Sequence, residues 1–340
     1  MRNFDKYLNE SQVAWRRAHV ADKRLGSQNR LTRDWILPNE VWELGLWSDI
    51  RDILSDYARS RRVEIHRGAH NLKSSWIHCA NLYFPFHQPH GLDLLGGFFK
   101  RYVSAEIETV VGVELEYAED APLDPKTLLG EPDNGKRGAN QTSPDVAFLV
   151  RTKRGKGLIL TENKLSEHSF YPCSGRKREV NNPDPKRCLN WPRIRENPEG
   201  ECWQMQWEQG RRKNRRYWDH LRVSNVGRNA LTQCPAAISG YQLFRQQALA
   251  EGIAASGRYS LVASCVAYDA RNDDLIHCLR STGIENFTEG WDGLFDGRVH
   301  FATWTHQEWV AWVRANDSEG KWTDWLAYVE RRYGYSEGEP

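Results

Sequence analysis

Apolar residues in the first hundred positions recur every three or four residues, which is the spacing of amphipathic helices. A Pro-Asn pair and a Ser-Ser pair mark two of the helix starts. Helices are predicted on this basis at residues 38–62, 74–86 and 92–104. The amino-terminal part of the chain is therefore predicted to be largely helical.

Beyond residue 108 the pattern changes to alternation and to short continuous apolar runs, both typical of strands. Strands are predicted at 109–120, 144–152, 156–165, 259–270 and 297–305, and further helices at 240–256, 306–316 and 321–334. Residues 153–157, with two glycines, supply a hairpin turn between the second and third strands. This order of elements predicts a mixed sheet with helices packed on it, an α/β chain of the α+β type.

A basic insertion, rich in Pro, Asn and Arg, occupies about 167–239, and one helix is predicted within it at 202–221. Residues 174–222 contain thirteen Lys or Arg and seven Asp or Glu, although the whole chain has a net charge of only +2. Such asymmetry favours an anionic partner. We expect a basic cluster followed by two aromatic residues to contact the DNA backbone, a solvated surface being the alternative. The cluster comprises Arg211, Arg212, Lys213, Arg215 and Arg216.

The bulk composition is that of a soluble globular protein. Of the 340 residues, 39% are hydrophobic and 27% are charged, and no apolar run approaches the roughly 18 residues of a membrane-spanning helix. The first twenty residues lack the apolar block of a signal peptide, so a cytoplasmic location and no membrane partner are expected. Reduced cysteines are expected there. Because Cys173, Cys188 and Cys202 lack the close pair typical of zinc sites, we expect ordinary thiols, and whether they bind a metal or cluster stays open.

Three charged residues interrupt the apolar hairpin at the ends of its strands: Asp145, Glu162 and Lys164. Glu162 and Lys164 are two positions apart, so their side chains lie on one face of the strand. Asp145 starts the preceding strand and lies beside Glu162 if the hairpin pairs. Converging carboxylates suit Mg²⁺, and a neighbouring lysine can orient water or stabilise phosphoryl charge. The pattern suits phosphodiester hydrolysis; a surface hairpin with an ion pair is the alternative.

Pro144-Asp145 and, after sixteen intervening residues, Glu162-Asn163-Lys164 resemble the signature of the PD-(D/E)XK nuclease superfamily. The resemblance is closer to a bacterial restriction-endonuclease-like subset and covers roughly 72–270. The segments that carry it are SSWIHCANLYFPF, VELEY, TSPDVAFLV, TENKLSEHSF and GYQLFRQQALA. Trp76 departs from the Gln of that subset, and Leu165-Ser166 replace a Tyr-Thr pair.

The resemblance implies a restriction-endonuclease-like αβββαβ core with a mixed central sheet. Three parts of the chain are then expected: a helical N-terminal region at 1–70, the nuclease core at 71–270, and a C-terminal strand and helices at 271–340. The basic insertion at about 167–239 lies within the core. By the same resemblance, Asp145 and Glu162 are metal ligands for Mg²⁺, which Mn²⁺ can replace, and Lys164 is the catalytic lysine.

Two further roles come from the resemblance. The superfamily usually adds an upstream glutamate, and Glu116 is preferred here as a catalytic residue and metal ligand. Glu114 lies on the same strand face and cannot be separated from it, and Glu106 and Glu108 precede both. Gln242, in the predicted helix at 240–256, is expected to contact DNA or metal-bound water.

These features predict a Mg²⁺-dependent endonuclease that hydrolyses DNA phosphodiester bonds in restriction, defence or repair. A homodimer would suit double-strand cutting, with the tryptophan-rich tail as an interface. The alternative from another class is a non-catalytic nucleic-acid-binding or adaptor protein that retains the nuclease fold. Presence of all three charges argues against that alternative. RNA is an alternative substrate.

Overall fold

A five-stranded sheet lies at the centre of the chain in a computed structural model, which describes residues 3–176, 182, 184–205, 207–208, 211–212 and 214–336. The sheet consists of β3 (Ile107–Leu115), β4 (Val146–Thr152), β5 (Gly155–Lys164), β9 (Leu261–Tyr268) and β11 (His300–Thr305). Their spatial order is β11-β9-β5-β4-β3. β3, β4 and β5 are antiparallel neighbours, whereas β9 and β11 run parallel to β5. The predicted mixed sheet is confirmed.

Long helices cover the sheet and the two ends of the chain. They are α1 (Asn3–His19), α2 (Arg51–Ser60), α3 (Ser75–Tyr83), α4 (Pro89–Tyr102), α11 (Tyr241–Ala255), α14 (His306–Asn316) and α15 (Thr323–Tyr333). Most of the predicted helices are confirmed to within a few residues. The one predicted at 38–62 is wrong in its first half, where two 3₁₀ segments at Asn39–Gly45 and Ser48–Ile50 precede α2. Gly45, a poor helix former, ends the first of them.

Alternate residues of the strands face two separate cores. In β5, Ile159 packs in the core that includes α3 and α4, whereas Leu158 and Leu160 pack in the core that includes α11. This division follows from the two-residue period of a strand. Because helices cover both faces, β4 and β5 appear in the sequence as nearly continuous apolar runs.

The two ends of the chain pack together on the α3 and α4 side of the sheet. Gln12 of α1 donates to the main-chain oxygen of Arg332 in α15 at 2.9 Å. Trp309, Trp322 and Trp325 are at most 5% exposed and belong to the same core as the sheet. These three tryptophans are therefore part of the interior, and the expectation that the tail forms a dimer interface stays a prediction.

Most of the described part of the basic insertion consists of short elements, and the helix predicted at 202–221 is wrong. The segment instead has two short antiparallel strands and a single turn of helix. A run of like charges disfavours a helix, because residues four apart repel each other, and Asn214 adopts a left-handed φ of 59°.

Short elements complete the described chain. The strands are β1 (Ser27–Gln28), β2 (Leu31–Thr32), β6 (Trp207–Glu208), β7 (Arg211–Arg212), β8 (Arg222–Val223) and β10 (Phe295–Asp296). The helices are α5 (Pro125–Leu129), α6 (Trp191–Glu196), α7 (Pro198–Glu201), α8 (Tyr217–His220), α9 (Asn225–Ala230), α10 (Pro235–Ile238), α12 (Asp273–Ile276) and α13 (Phe287–Gly290). Over the described residues, none of the helices has the length and apolar character needed to cross a membrane.

Candidate active site

Asp145, Glu162 and Lys164 come together where β4 begins and β5 ends. The strand register pairs Val146 with Thr161, which are the chain neighbours of Asp145 and Glu162. Lys164 Nζ donates to Glu162 Oε1 at 2.7 Å, and the main-chain N–H of Asn163 donates to Asp145 Oδ2 at 2.7 Å. Glu162 is 6% exposed and Lys164 is 2% exposed. The hairpin therefore brings the buried side chains of Glu162 and Lys164 beside the half-buried Asp145, unlike an exposed surface ion pair.

The end of β5 is fixed by neighbouring helices. Asn163 faces α3, where its side-chain amide donates to the main-chain oxygen of Ser75 at 2.9 Å. His306, at the start of α14, lies 3.1 Å from the main-chain oxygen of Lys164 through Nε2. Burial lowers the pKa of His306 to about 4, so the ring is neutral and its Nε2–H donates to that oxygen. Both contacts hold the strand backbone that carries Glu162 and Lys164.

Glu116 joins the site from the end of β3. Its main-chain N–H donates to the main-chain oxygen of Asp145 at 3.0 Å, and its side chain is 6% exposed. Its φ of 48° is uncommon for a residue other than glycine, and such backbone conformations cluster at functional sites. Gly138 lies so close that a Cβ there would fall 2.7 Å from Glu116 Oε2. A crossing loop therefore closes over this carboxylate.

The other upstream glutamates lie elsewhere. Glu114 is ion-paired with Arg137 at 2.7 Å and with Arg61 at 3.6 Å. Glu106 pairs with Arg154 at the opposite end of the hairpin, and Glu108 is exposed at the start of β3. The structure thus separates Glu116 from Glu114, which the strand periodicity alone could not do.

Burial and mutual repulsion dominate the electrostatics of the carboxylates. Burial, followed by the charge of Glu162, raises the pKa of Asp145 well above its ordinary value. Burial is also the main cause that raises the pKa of Glu116 to about 8; a hydrogen bond from Ser143 lowers it, and the charge of Glu162 raises it further. Burial opposes the charge of Lys164, but nearby carboxylates, Glu162 first, raise its pKa above the ordinary value. The ammonium of Lys164 is therefore held by the charges of Glu162, Glu167 and Asp145.

The donor chemistry fits a hard cation, although the side chains do not form a closed site. Carboxylate oxygens are the ligands that Mg²⁺ prefers, and a cation would relieve the repulsion that raises the pKa values of Asp145 and Glu116. Over the part of the chain that the structure describes, no three Asp, Glu, His or Cys side chains stand in a group that could hold a metal ion. Glu162 Oε1 is instead satisfied by two donors, Lys164 and Gln242.

Gln242 enters the site from the first turn of α11. Its Nε2 donates to Glu162 Oε1 at 2.6 Å. Its Oε1 is buried and has no hydrogen-bond partner among the described residues. An unpartnered buried acceptor costs about 1–3 kcal/mol, so this oxygen is available to a donor that binds in the site. The predicted contact with DNA or water stays a prediction.

Three neighbours of the site did not stand out in the sequence. Trp76 and Ser143 both hydrogen-bond to Glu116 and lower its pKa. Trp76 stands where the restriction-endonuclease-like subset has Gln. Its position in that motif was the signal in the sequence that could have placed it near the site. Tyr171 is 53% exposed, its φ is 55°, and its ring centroid lies 6.0 Å from Lys164 Nζ. It is an exposed aromatic ring at the edge of the site.

The basic cluster is only partly described. Arg215 donates to the main-chain oxygen of Gly130, and Arg216 pairs with Asp219 at 2.8 Å. These two arginines bind within the chain. Arg211 and Arg212 lie in β7, but their side chains are outside the described part, as is the whole of residue 213, Lys213. The DNA contact of this cluster stays a prediction.

The α+β architecture and the charged residues at adjoining strand ends define a nuclease-like fold. The chain belongs to the family described as restriction endonuclease associating with ARP, whose model matches residues 9–334. This membership indicates a nuclease-related function. No curated protein and no solved structure matches the chain.

Proposed function

We propose that this chain is a Mg²⁺-dependent DNA endonuclease that acts in the cytoplasm in restriction, defence or repair. The observation that carries the proposal is that the buried Glu162, Glu116 and Lys164 and the half-buried Asp145 lie at the ends of three adjoining strands. A merely structural hairpin would have no need for the carboxylates of Asp145 and Glu116, whose pKa values are raised by burial and further by the charge of Glu162. The family description supports a nuclease-related role.

Asp145, Glu162 and Glu116 would hold Mg²⁺, or Mn²⁺ in its place, through carboxylate oxygens. Bound there, the metal ion supplies charge stabilisation to the phosphoryl group and to the leaving oxygen. The chain's own contribution is to hold these ligands rigidly. Asp145 is fixed by the main-chain N–H of Asn163, and Glu116 is fixed by its hydrogen bonds to Trp76 and Ser143.

Lys164 would act as a cation. Because its pKa is raised, the side chain stays protonated at neutral pH and cannot accept a proton from water. It can donate hydrogen bonds to the attacking water or to a phosphate oxygen. By analogy with the PD-(D/E)XK superfamily, we expect products with 5′-phosphate and 3′-hydroxyl ends.

The test compares wild-type protein with Lys164→Ala on supercoiled plasmid, with Mg²⁺ or with EDTA. Lys156→Ala is the matched control, because Lys156 is exposed on the same strand β5, far from the site. We expect nicked or linear plasmid from wild type and from Lys156→Ala with Mg²⁺ only, and none from Lys164→Ala. Cutting by Lys164→Ala at the wild-type rate would contradict the proposal.

A non-catalytic nucleic-acid-binding or adaptor protein is the second candidate. It is favoured by one observation: Lys164 and Gln242 already satisfy Glu162. If wild type and Lys164→Ala both retard DNA on a gel and neither cuts, this candidate replaces the first. The family description names association with ARP, and we extend this to a partner whose addition should be included in the plasmid assay. Replacing plasmid by RNA tests the other substrate.

We also propose that the active assembly is a homodimer, since cutting both strands of DNA needs two sites. Sedimentation of the protein with and without a DNA duplex tests it. A monomer in both conditions would contradict this assembly.

A further inference from the structure

Four cysteines from four separate segments of the basic insertion surround one enclosed cavity. Cys173 precedes a 3₁₀ turn, Cys188 lies in a second, Cys202 follows α7, and Cys234 precedes α10. The cavity has a volume of about 20 Å³, more than the roughly 10–15 Å³ that one water molecule needs. These residues are far apart in sequence, so their convergence is a property of the fold.

Two of the four sulfur atoms have neighbours that stabilise a thiolate, although burial opposes its formation. Cys173 Sγ accepts hydrogen bonds from the main-chain N–H of Gly175 at 3.4 Å and from Gln204 Nε2 at 3.1 Å. Amide donors of this kind stabilise negative charge on sulfur and are the usual partners of metal-bound cysteines. The charges of Arg187 and Arg176 favour the thiolate of Cys188.

The thiols also interact with one another. Burial raises the pKa of Cys188 and the charge of Cys173 adds to this effect. Burial raises the pKa of Cys202 to about 12, and burial followed by the charge of Cys202 raises the pKa of Cys234. Four buried thiols that repel one another's ionised forms would be stabilised by a shared cationic group, which replaces the four protons.

The arrangement distinguishes a cluster from a single ion. Zinc draws four sulfurs to about 2.3 Å from one centre, yet no three cysteine, histidine or acidic side chains of the described residues are grouped to hold one ion. None of the four cysteines forms a disulfide with another described cysteine. A [4Fe–4S] cluster also takes four cysteine thiolates, but each thiolate binds a different iron. The cysteine sulfurs therefore stand farther apart than around one zinc ion, with space between them for the cluster.

We propose that Cys173, Cys188, Cys202 and Cys234 bind a [4Fe–4S] cluster. Each thiol releases its proton as its sulfur bonds to one iron. Two ferrous and two ferric ions with four sulfide ions, all supplied by the cell, make up the [4Fe–4S]²⁺ core, so neither the iron nor the protein is oxidised as the cluster binds. The cluster would be structural, because it joins four segments whose helices are only four to six residues long. It does not depend on the proposed nuclease activity.

The test measures iron and acid-labile sulfide in protein purified without oxygen, then in protein reconstituted with equal amounts of ferrous and ferric iron and with sulfide. We expect about four of each per chain, with a broad visible absorption that bleaches on reduction. Cys202→Ser and Cys234→Ser should lose both, whereas Cys278→Ser, which changes a half-buried cysteine outside the cavity, should keep them. Since wild type is measured directly, the result does not require that the variants fold.

Two outcomes would overturn the proposal. One zinc per chain without sulfide would show a mononuclear site. Seven titratable thiols without bound metal, after reconstitution, would show ordinary cysteines. DNA cutting is not a readout here, so a failed cluster test leaves the proposed nuclease unaffected, and inactivity on plasmid leaves the cluster unaffected.

Discussion

The carboxyl group of Glu116 should make the stability of the metal-free protein depend on pH. Burial is the main reason why its pKa rises from an ordinary 4.5 to about 8. When the folded pKa of an acid exceeds its unfolded pKa, the folded state binds more protons between the two values. Stability is therefore highest at or below about pH 4.5 with respect to this group, falls as the pH rises, and reaches its full loss above about pH 8.

The size of the effect follows from the shift. Each pKa unit corresponds to about 1.4 kcal/mol, so the full shift of Glu116 corresponds to at most about 5 kcal/mol between pH 4.5 and pH 9. The raised pKa of Asp145 acts in the same direction. Glu116→Gln, which keeps the shape and removes the charge, should flatten the pH dependence and stabilise the metal-free protein at pH 9. Mg²⁺ should raise wild-type stability most at high pH, because it binds the ionised carboxylates.

Urea unfolding monitored by tryptophan fluorescence at pH 6 and pH 9, in EDTA and in Mg²⁺, measures these changes. Glu114→Gln is the matched control, because Glu114 lies in β3, just before Glu116. The variant removes the ion pair with Arg137 and should lower the free energy of unfolding by a similar amount at both pH values. Wild-type protein that is equally stable at both pH values in EDTA would refute the reasoning. So would a Glu116→Gln variant with the wild-type pH dependence.

Three further predictions concern neighbours of the site. Gln242→Ala removes a hydrogen bond to charged Glu162 and should slow plasmid cutting about tenfold, with thermal unfolding little changed; an unchanged rate would place it outside the mechanism. Arg245 pairs with the carboxylate of Glu131 at 3.0 Å, so Arg245→Met leaves that carboxylate buried without its cation. The variant should lose about 3–5 kcal/mol of the free energy of unfolding, measured in urea. A loss below about 1 kcal/mol would contradict this role. Tyr171→Ala should weaken DNA binding at least fivefold by fluorescence anisotropy, through loss of stacking, and leave stability unchanged because the ring is exposed; equal affinity would exclude stacking.

The hairpin was predictable because its information is local. Strand periodicity fixes the face of Glu162 and Lys164, and a hairpin turn between the two strands brings Asp145 near Glu162. The structure shortens the turn predicted at 153–157 to the two residues between Thr152 and Gly155, and it pairs Val146 with Thr161. The continuous apolar runs of β4 and β5 likewise indicate a sheet covered on both faces. Nothing more distant than the turn is needed for these conclusions.

Glu116 was harder to assign because the alternation of side chains along a strand applies only as far as β3 extends, and β3 ends one residue before Glu116. β3 ends at Leu115, has two register irregularities, and gives way to a left-handed residue at Glu116. Alternation puts Glu114 and Glu116 on one face, but the change in φ separates them. Their different partners, Arg137 and Trp76, come from other segments of the chain. No local pattern carries that information.

In the basic insertion, helical periodicity predicted a helix that the structure does not contain. Aromatic and basic residues at 202–221 fit a helical face, yet Arg215 and Arg216 bind main-chain oxygens of 127–130, and this tertiary contact replaces helix formation. The cysteine cavity was equally hidden, because residues fourteen to thirty-two positions apart have no pattern that predicts contact.

The start of α11 connects the two sites. Gln242 contacts Glu162, while the adjacent Tyr241 lines the cysteine cavity. Tyr241 also lies 3.2 Å from the hydroxyl of Tyr217, which donates to Glu131. A disturbance of the cavity would therefore act first on the first turn of α11. Lys164 is carried by β5 and contacts Glu162 and the rings of Phe170 and Tyr171. If the cysteines bind a cluster, its loss should act on cutting through the position of Gln242, and the buried charges at the strand ends should stay in place.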